Sequence, residues 1–221
     1  MLYGIHVLII LISFVIGNGP DKPFMLPFTK EPERTLAVRE FSLENRYRNS
    51  FVNEVFKDNI LLTVDYLTGA KIDPKKIDWT RYDEPFDHKV ILNPGETFAF
   101  HDDVLPNYEG KVNKTSNAHF NSVEGFRFSG NLVGDGVCHL ASLLYWAAKD
   151  AGLNAVAPTR HDFANIPEVP KEFGVSIYAY PGKQTKDQVQ NLYITNNKEQ
   201  KIAFEFIYDG ENLKIQVNEI L

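Results

Sequence analysis

Residues 134–152, GDGVCHLASLLYWAAKDAG, decide how this 221-residue chain is read. Leu140, Leu143, Leu144, Ala147, Ala148 and Ala151 fall on one face at helical spacing, which predicts a buried helix over 137–151. Gly134 and Gly136 bracket a turn ahead of it, Asp135 is placed to cap its start, and Gly152 to end it, with Lys149 in the last turn. The single cysteine, Cys138, opens this helix. The first turn of a helix presents unpaired N–H groups and positive potential. Both favour a thiolate, the nucleophilic form, so the position predicts a lowered thiol pKa. The opposite reading is a small apolar residue packed at the start of a core helix.

A cysteine nucleophile needs an imidazole base and a group to orient it. His139 adjoins Cys138 but projects about a hundred degrees around the helix, which makes it a poor partner. His161, in PTRHDF, is the expected base, with His101 and His119 as alternatives. Asn191, at the head of a predicted strand, or Asp162, beside His161, would orient it. Backbone N–H groups over 136–139 would receive an oxyanion. Gly134 and Gly136 would let a substrate approach closely. Ser142 and Tyr145, four and seven positions after Cys138, would line its side of the helix. As metal ligands, His101, Asp103, His119, His139, His161 and Asp162 show no zincin-type spacing. The run His101-Asp102-Asp103 reads as a solvated turn, and no metal or cofactor is expected.

Outward from this helix, the C-terminal third reads as β structure. NLYITNN (191–197) is followed by KIAFEFIYDGENLKIQV (201–217), in which Ile202, Phe204, Phe206 and Tyr208 alternate. Asp209-Gly210 supplies a hairpin turn, and Ile215 and Val217 return on the apolar face. On the N-terminal side, VILNPGETFAF (90–100) joins strand-like 90–92 and 97–100 through an Asn-Pro-Gly turn. Residues 70–89 are polar with two prolines and read as a surface loop. Between 42 and 67, helical spacing of Phe51, Val52, Val55, Phe56, Ile60, Val64 and Leu67 predicts one helix or a broken pair, stopped by Gly69. The fold class is therefore α+β: helices in the first half, a central buried helix starting at the cysteine, and a mostly antiparallel C-terminal sheet.

Composition narrows function further. A hydrophobic share of 43% and a charged share of 24% are globular values. A net charge of −6 with no basic stripe argues against a nucleic-acid partner. One cysteine excludes an internal disulfide framework. Leu2–Ile16 is an apolar run that reaches about 22 Å as a helix, short of the roughly 30 Å hydrocarbon core. Residues 1–17 accordingly read as a signal peptide or membrane anchor, the only expected membrane contact, and 18–35 as a proline-rich linker. The domain proper is expected over 36–221.

ILNPGETFAFHD, GDGVCHLASLLYWAAKDAGLNAV, TRHDF, NLYITNN and the closing hairpin, in this order, resemble the VanW-like family of bacterial proteins. The likeness runs from near Phe41-Ser42 to about Ile220. Asp135 stands where the family pattern has a glycine, His139 where it has glutamine, Phe163 where a second histidine is frequent, and Asn191 where an aspartate is common. Residues 70–89 look like an insertion. The resemblance implies an exported or anchored protein in a cell-wall, glycopeptide-resistance setting. Locally, the stretch around Cys138 is also similar to the cysteine helix of transglutaminase-like and papain-like hydrolases. Two expectations follow. One is an extracytoplasmic cysteine-dependent amide hydrolase or acyl-transferase acting on peptidoglycan peptides, with Cys138, His161 and Asn191 as its catalytic residues. The other is a non-catalytic module that binds a cell-wall peptide or glycopeptide-like ligand, with Cys138 only packing.

Overall fold

Two long alternating strands and one leucine-lined helix organise the molecule. The computed structural model describes residues 31–130, 134–179 and 184–221. In chain order the first half holds β1 (Glu33–Ser42), α1 (Ser50–Thr68), β2 (Phe86–Leu92), β3 (Thr97–Ala99) and β4 (Val112–Lys114). The second half holds α2 (Val137–Asp150), β5 (Asn154–Val156), a short α3 (Gln184–Asp187), β6 (Tyr193–Thr195), β7 (Lys201–Tyr208) and β8 (Asn212–Ile220). The class is α+β, as the sequence predicts.

The strands form two four-stranded sheets, ordered β1-β8-β7-β2 and β4-β3-β6-β5. All pairs are antiparallel except β3 with β4. The β7–β8 hairpin turns at Asp209-Gly210, where Asp209 Oδ1 accepts from the N–H groups of Glu211 and Asn212 at 2.9 and 2.7 Å. Ile202, Phe204, Phe206 and Tyr208 are buried, and Ile215 and Val217 join them from β8. Helix α2 packs on β1, β5, β8 and α1. Its Leu140, Leu143 and Leu144 are buried, each worth about 1.5–3 kcal/mol in area removed from water. Helix α1 starts at Ser50, capped by Asn49, whose side chain accepts from Phe51 N at 3.0 Å. It ends at Gly69, whose φ of 77° is left-handed.

Three expectations change. Residues 42–49 are not helical, because the helix begins only where Asn49 caps it. Residues 33–35, read as the end of the linker, belong to β1, which runs along the edge of the first sheet. The stretch 70–89 is not all surface loop, since β2 begins at Phe86 and Tyr82 is buried with its hydroxyl donating to Asp65 Oδ2 at 2.7 Å. The expected leader over 1–17 and the linker up to residue 30 lie outside the described residues. Among the described residues no helix is long and apolar enough to cross a membrane.

Candidate functional site

The start of α2 is set by two glycines in left-handed conformations, Gly134 at φ 79° and Gly136 at φ 104°. A Cβ on Gly136 would lie 2.8 Å from the Phe56 carbonyl oxygen, and one on Gly134 2.8 Å from that of Phe120. Close backbone approach by the protein itself, rather than by a substrate, accounts for both. Gly136 is the N-cap residue, and no side chain caps the helix. Asp135 instead accepts from the Ser129 hydroxyl. Its carbonyl takes a 2.9 Å bond from Asn59 Nδ2, which ties the turn to α1.

The Cys138 sulfur faces the backbone of Ile177. It receives the Ile177 N–H at 3.4 Å and donates to the Ile177 carbonyl at 3.5 Å. Among the described residues no imidazole nitrogen shares a hydrogen bond with it. Burial pushes the thiol pKa up to about 11, aided by the negative Asp135 and opposed by the Ile177 N–H. The direction is opposite to the expected lowering. Cys138 is only partly buried as a residue, yet desolvation of its sulfur outweighs the helix-terminus potential here. Ser142, expected beside a substrate, is fully buried, donates to the Cys138 carbonyl at 2.7 Å and accepts from Val175 N at 2.8 Å. Tyr145 packs edge-on against Phe173 with ring centroids 6.2 Å apart. Both side chains thus fix the segment 173–177 against α2.

His161 packs edge-on against His139, with ring centroids 6.2 Å apart. Its Nδ1 donates to the Ala164 carbonyl at 3.0 Å, which leaves Nε2 with the free lone pair. Burial lowers its pKa below the ordinary imidazole value, so the ring is neutral at pH 7. Phe163, 73% exposed, covers the ring at 3.9 Å between centroids. Asp162 turns to solvent and pairs with Arg160 at 3.7 Å. Asn191 does not meet this imidazole. Its Oδ1 accepts from Phe100 N at 3.0 Å and Leu192 N at 2.8 Å, and its Nδ2 donates to the carbonyls of His101 and Asp103, both at 3.0 Å. The amide is consumed in joining the turn after β3 to the start of β6, so Asn191 is not the group that orients His161.

His161 does line a cavity of about 350 Å³, together with the turn 164–171 and Gly174. Two residues that sequence reasoning missed hold this turn. Arg46, whose side chain is fully buried, donates to the Pro167 carbonyl at 3.2 Å and to the Ser42 carbonyl. Its Nη2 lies 3.2 Å from His139 Nδ1, which places His139 as an acceptor and holds its pKa well below the ordinary value, burial being the larger cause. Glu168 accepts from Ser42 N at 3.1 Å and adopts a left-handed φ of 68°. Such a conformation in a side-chain-bearing residue is costly and is kept where the surroundings enforce it. The prolines of IPEVP signal a turn at this place in the sequence, but nothing there points to Arg46, more than a hundred residues upstream.

The family model for VanW like proteins matches residues 87–218, more than half of the chain. The chain belongs to the VanW-like family. The match takes in β2 to β8, and with them Cys138, His161, Asn191 and the 164–171 turn. Of the two helices that build the site, the matched VanW-like region contains α2, while α1 and Arg46 precede it. No curated protein and no solved structure matches the chain.

Proposed function

We propose that this VanW-like protein acts outside the cytoplasm, tied to the cell envelope by its N-terminal apolar segment, as a non-catalytic module that binds cell-wall peptide. The cavity beside His161 is the ligand site in this reading. The observation that carries it is the environment of the one thiol: Cys138 is bonded on both sides to the Ile177 backbone, with its pKa pushed up to about 11. A thiol so held is a packing group at neutral pH.

The cavity offers what a peptide needs. In this reading the free Nε2 of His161 accepts an amide N–H, and Lys171, which lines the cavity, supplies the positive charge for a terminal carboxylate. The left-handed Glu168 and the buried Arg46 keep the turn in shape before ligand arrives, which lowers the ordering cost of binding. The test is calorimetric titration of a soluble peptidoglycan stem peptide into the protein. Saturable binding is expected, weakened at least tenfold by His161→Ala or Lys171→Ala and unchanged by Cys138→Ala. Absence of binding, peptide cleavage, or a covalent adduct on Cys138 in the intact mass would overturn the reading.

A further inference from the structure

Where β3 begins and β6 ends, a cleft of about 570 Å³ opens that shares no residue with the cavity beside His161. It is lined by residues of the 94–96 turn and the 107–113 loop, and by Thr97 and Thr195, whose hydroxyl oxygens lie 2.9 Å apart. Apart from Pro94 and two glycines, every lining side chain carries a hydroxyl, an amide, a carboxylate or an ammonium group. Pockets for small molecules are mostly apolar with a few polar groups. The composition here is the reverse, and suits a ligand held by many hydrogen bonds rather than by oily surface.

Both sides of the cleft are fixed by the protein's own bonds. On one side, Asn93 N donates to Glu96 Oε2 at 2.9 Å, and the turn is tied to the end of β6 by Gly95 N to the Asn196 carbonyl at 2.8 Å and Asn196 N to the Glu96 carbonyl at 2.9 Å. On the other side, Tyr108 stacks flat on Tyr193, with ring centroids 4.1 Å apart and planes 3° from parallel. Tyr193 is fully buried, and its hydroxyl accepts from Leu105 N at 3.0 Å and donates to the Gln188 carbonyl at 2.8 Å. Tyr108 is thus an aromatic surface on a rigid support, one face taken by Tyr193 and the rest of the ring left to the cleft. A site ordered in advance loses less entropy on binding.

The polar groups around that ring have capacity to spare. Asn113 Oδ1 accepts from Thr97 N at 3.4 Å, but its Nδ2 has no acceptor among the described residues. Among the same residues the Asn107 amide, the Tyr108 hydroxyl and the Lys111 ammonium have no hydrogen-bond or ion-pair partner. The single carboxylate, Glu96, and the single ammonium, Lys111, offset each other, so the lining favours no net charge in the ligand. We propose that this cleft binds a short uncharged oligosaccharide. The C–H groups of a pyranose ring meet the negative face of an aromatic ring, which Tyr108 supplies. Sugar hydroxyl and acetamido groups both donate and accept, as the threonine hydroxyls and the asparagine amides do. The site is separate from the peptide cavity, and its test does not depend on that reading.

The experiment titrates tri-N-acetylchitotriose into the full chain, followed by protein chemical shifts and by saturation transfer to the sugar protons. Saturable binding is expected, with saturation reaching the ring C–H protons. Tyr108→Ala and Asn107→Ala should each weaken it by about fivefold or more, and His161→Ala should leave it unchanged. If Tyr108→Ala fails to fold, Asn107→Ala carries the test, since its exposed side chain makes no internal bond among the described residues. Absence of saturable binding, affinity unchanged in Asn107→Ala and in folded Tyr108→Ala, or affinity lost in His161→Ala would overturn the proposal.

Discussion

The start of α2 and the turn after β3 each hold a group that chemistry uses, and they differ in what surrounds it. At Cys138 both capacities of the thiol are met by one backbone unit, Ile177. At Asp103 a buried carboxylate meets the His119 imidazole only at 3.9 Å, and the neighbouring His101 has its Nδ1 3.4 Å from the Asn191 amide. The cysteine is the more reactive residue type, yet its site is chemically closed. The aspartate is the commoner residue, and its ion pair with His119 is long. Residue type proposes chemistry; the accounting of partners decides it.

The comparison can be broken most forcefully at Gly136. Gly136→Ala places a Cβ 2.8 Å from the Phe56 carbonyl at a φ of 104°, and should cost more than about 2 kcal/mol in urea unfolding. A cost below about 0.5 kcal/mol would mean that α1 does not close over the start of α2. Next in size is the alkaline limb of stability. The folded thiol pKa of about 11 exceeds the unfolded value, so the contribution of Cys138 is complete below the unfolded pKa and is lost as pH rises toward 11. The loss should be on the order of 2–3 kcal/mol. It is read as the difference between the native chain and Cys138→Ala, because Tyr208, pushed up to about 12, titrates close by. Parallel pH curves would contradict it.

The smallest effect sharpens the other side. Burial raises the Asp103 pKa, so its charged form is a burden that grows as pH rises through the folded value. Asp103→Asn should therefore stabilise the chain at pH 7 by less than about 1 kcal/mol, with the gain fading toward acid pH. Destabilisation of similar size would show that the carboxylate has a partner.

Much of the frame was legible in sequence. Regular alternation identified the β7–β8 hairpin and leucine spacing identified α2, because these elements satisfy one period over their whole length. β1 escaped because a register shift between Thr35 and Ala37 interrupts its alternation, and because it follows a proline-rich stretch. The site was less legible because its contacts are long-range. Cys138 meets a backbone 39 residues on, Asn191 serves a turn about 90 residues earlier, and Arg46 braces a turn 121 residues later. The polar run His101-Asp102-Asp103 has the composition of a surface turn, and only tertiary packing reveals that two of its three residues are buried.

Alkylation of the native protein by iodoacetamide as a function of pH tests the role assigned to Cys138 most directly. The expected reaction is on the order of a hundredfold slower at pH 7 than with a free thiol, with a midpoint near 11 and no change in rate on His161→Ala. Rapid labelling with a midpoint below about 8.5, slowed by loss of His161, would contradict it and restore the cysteine as a nucleophile.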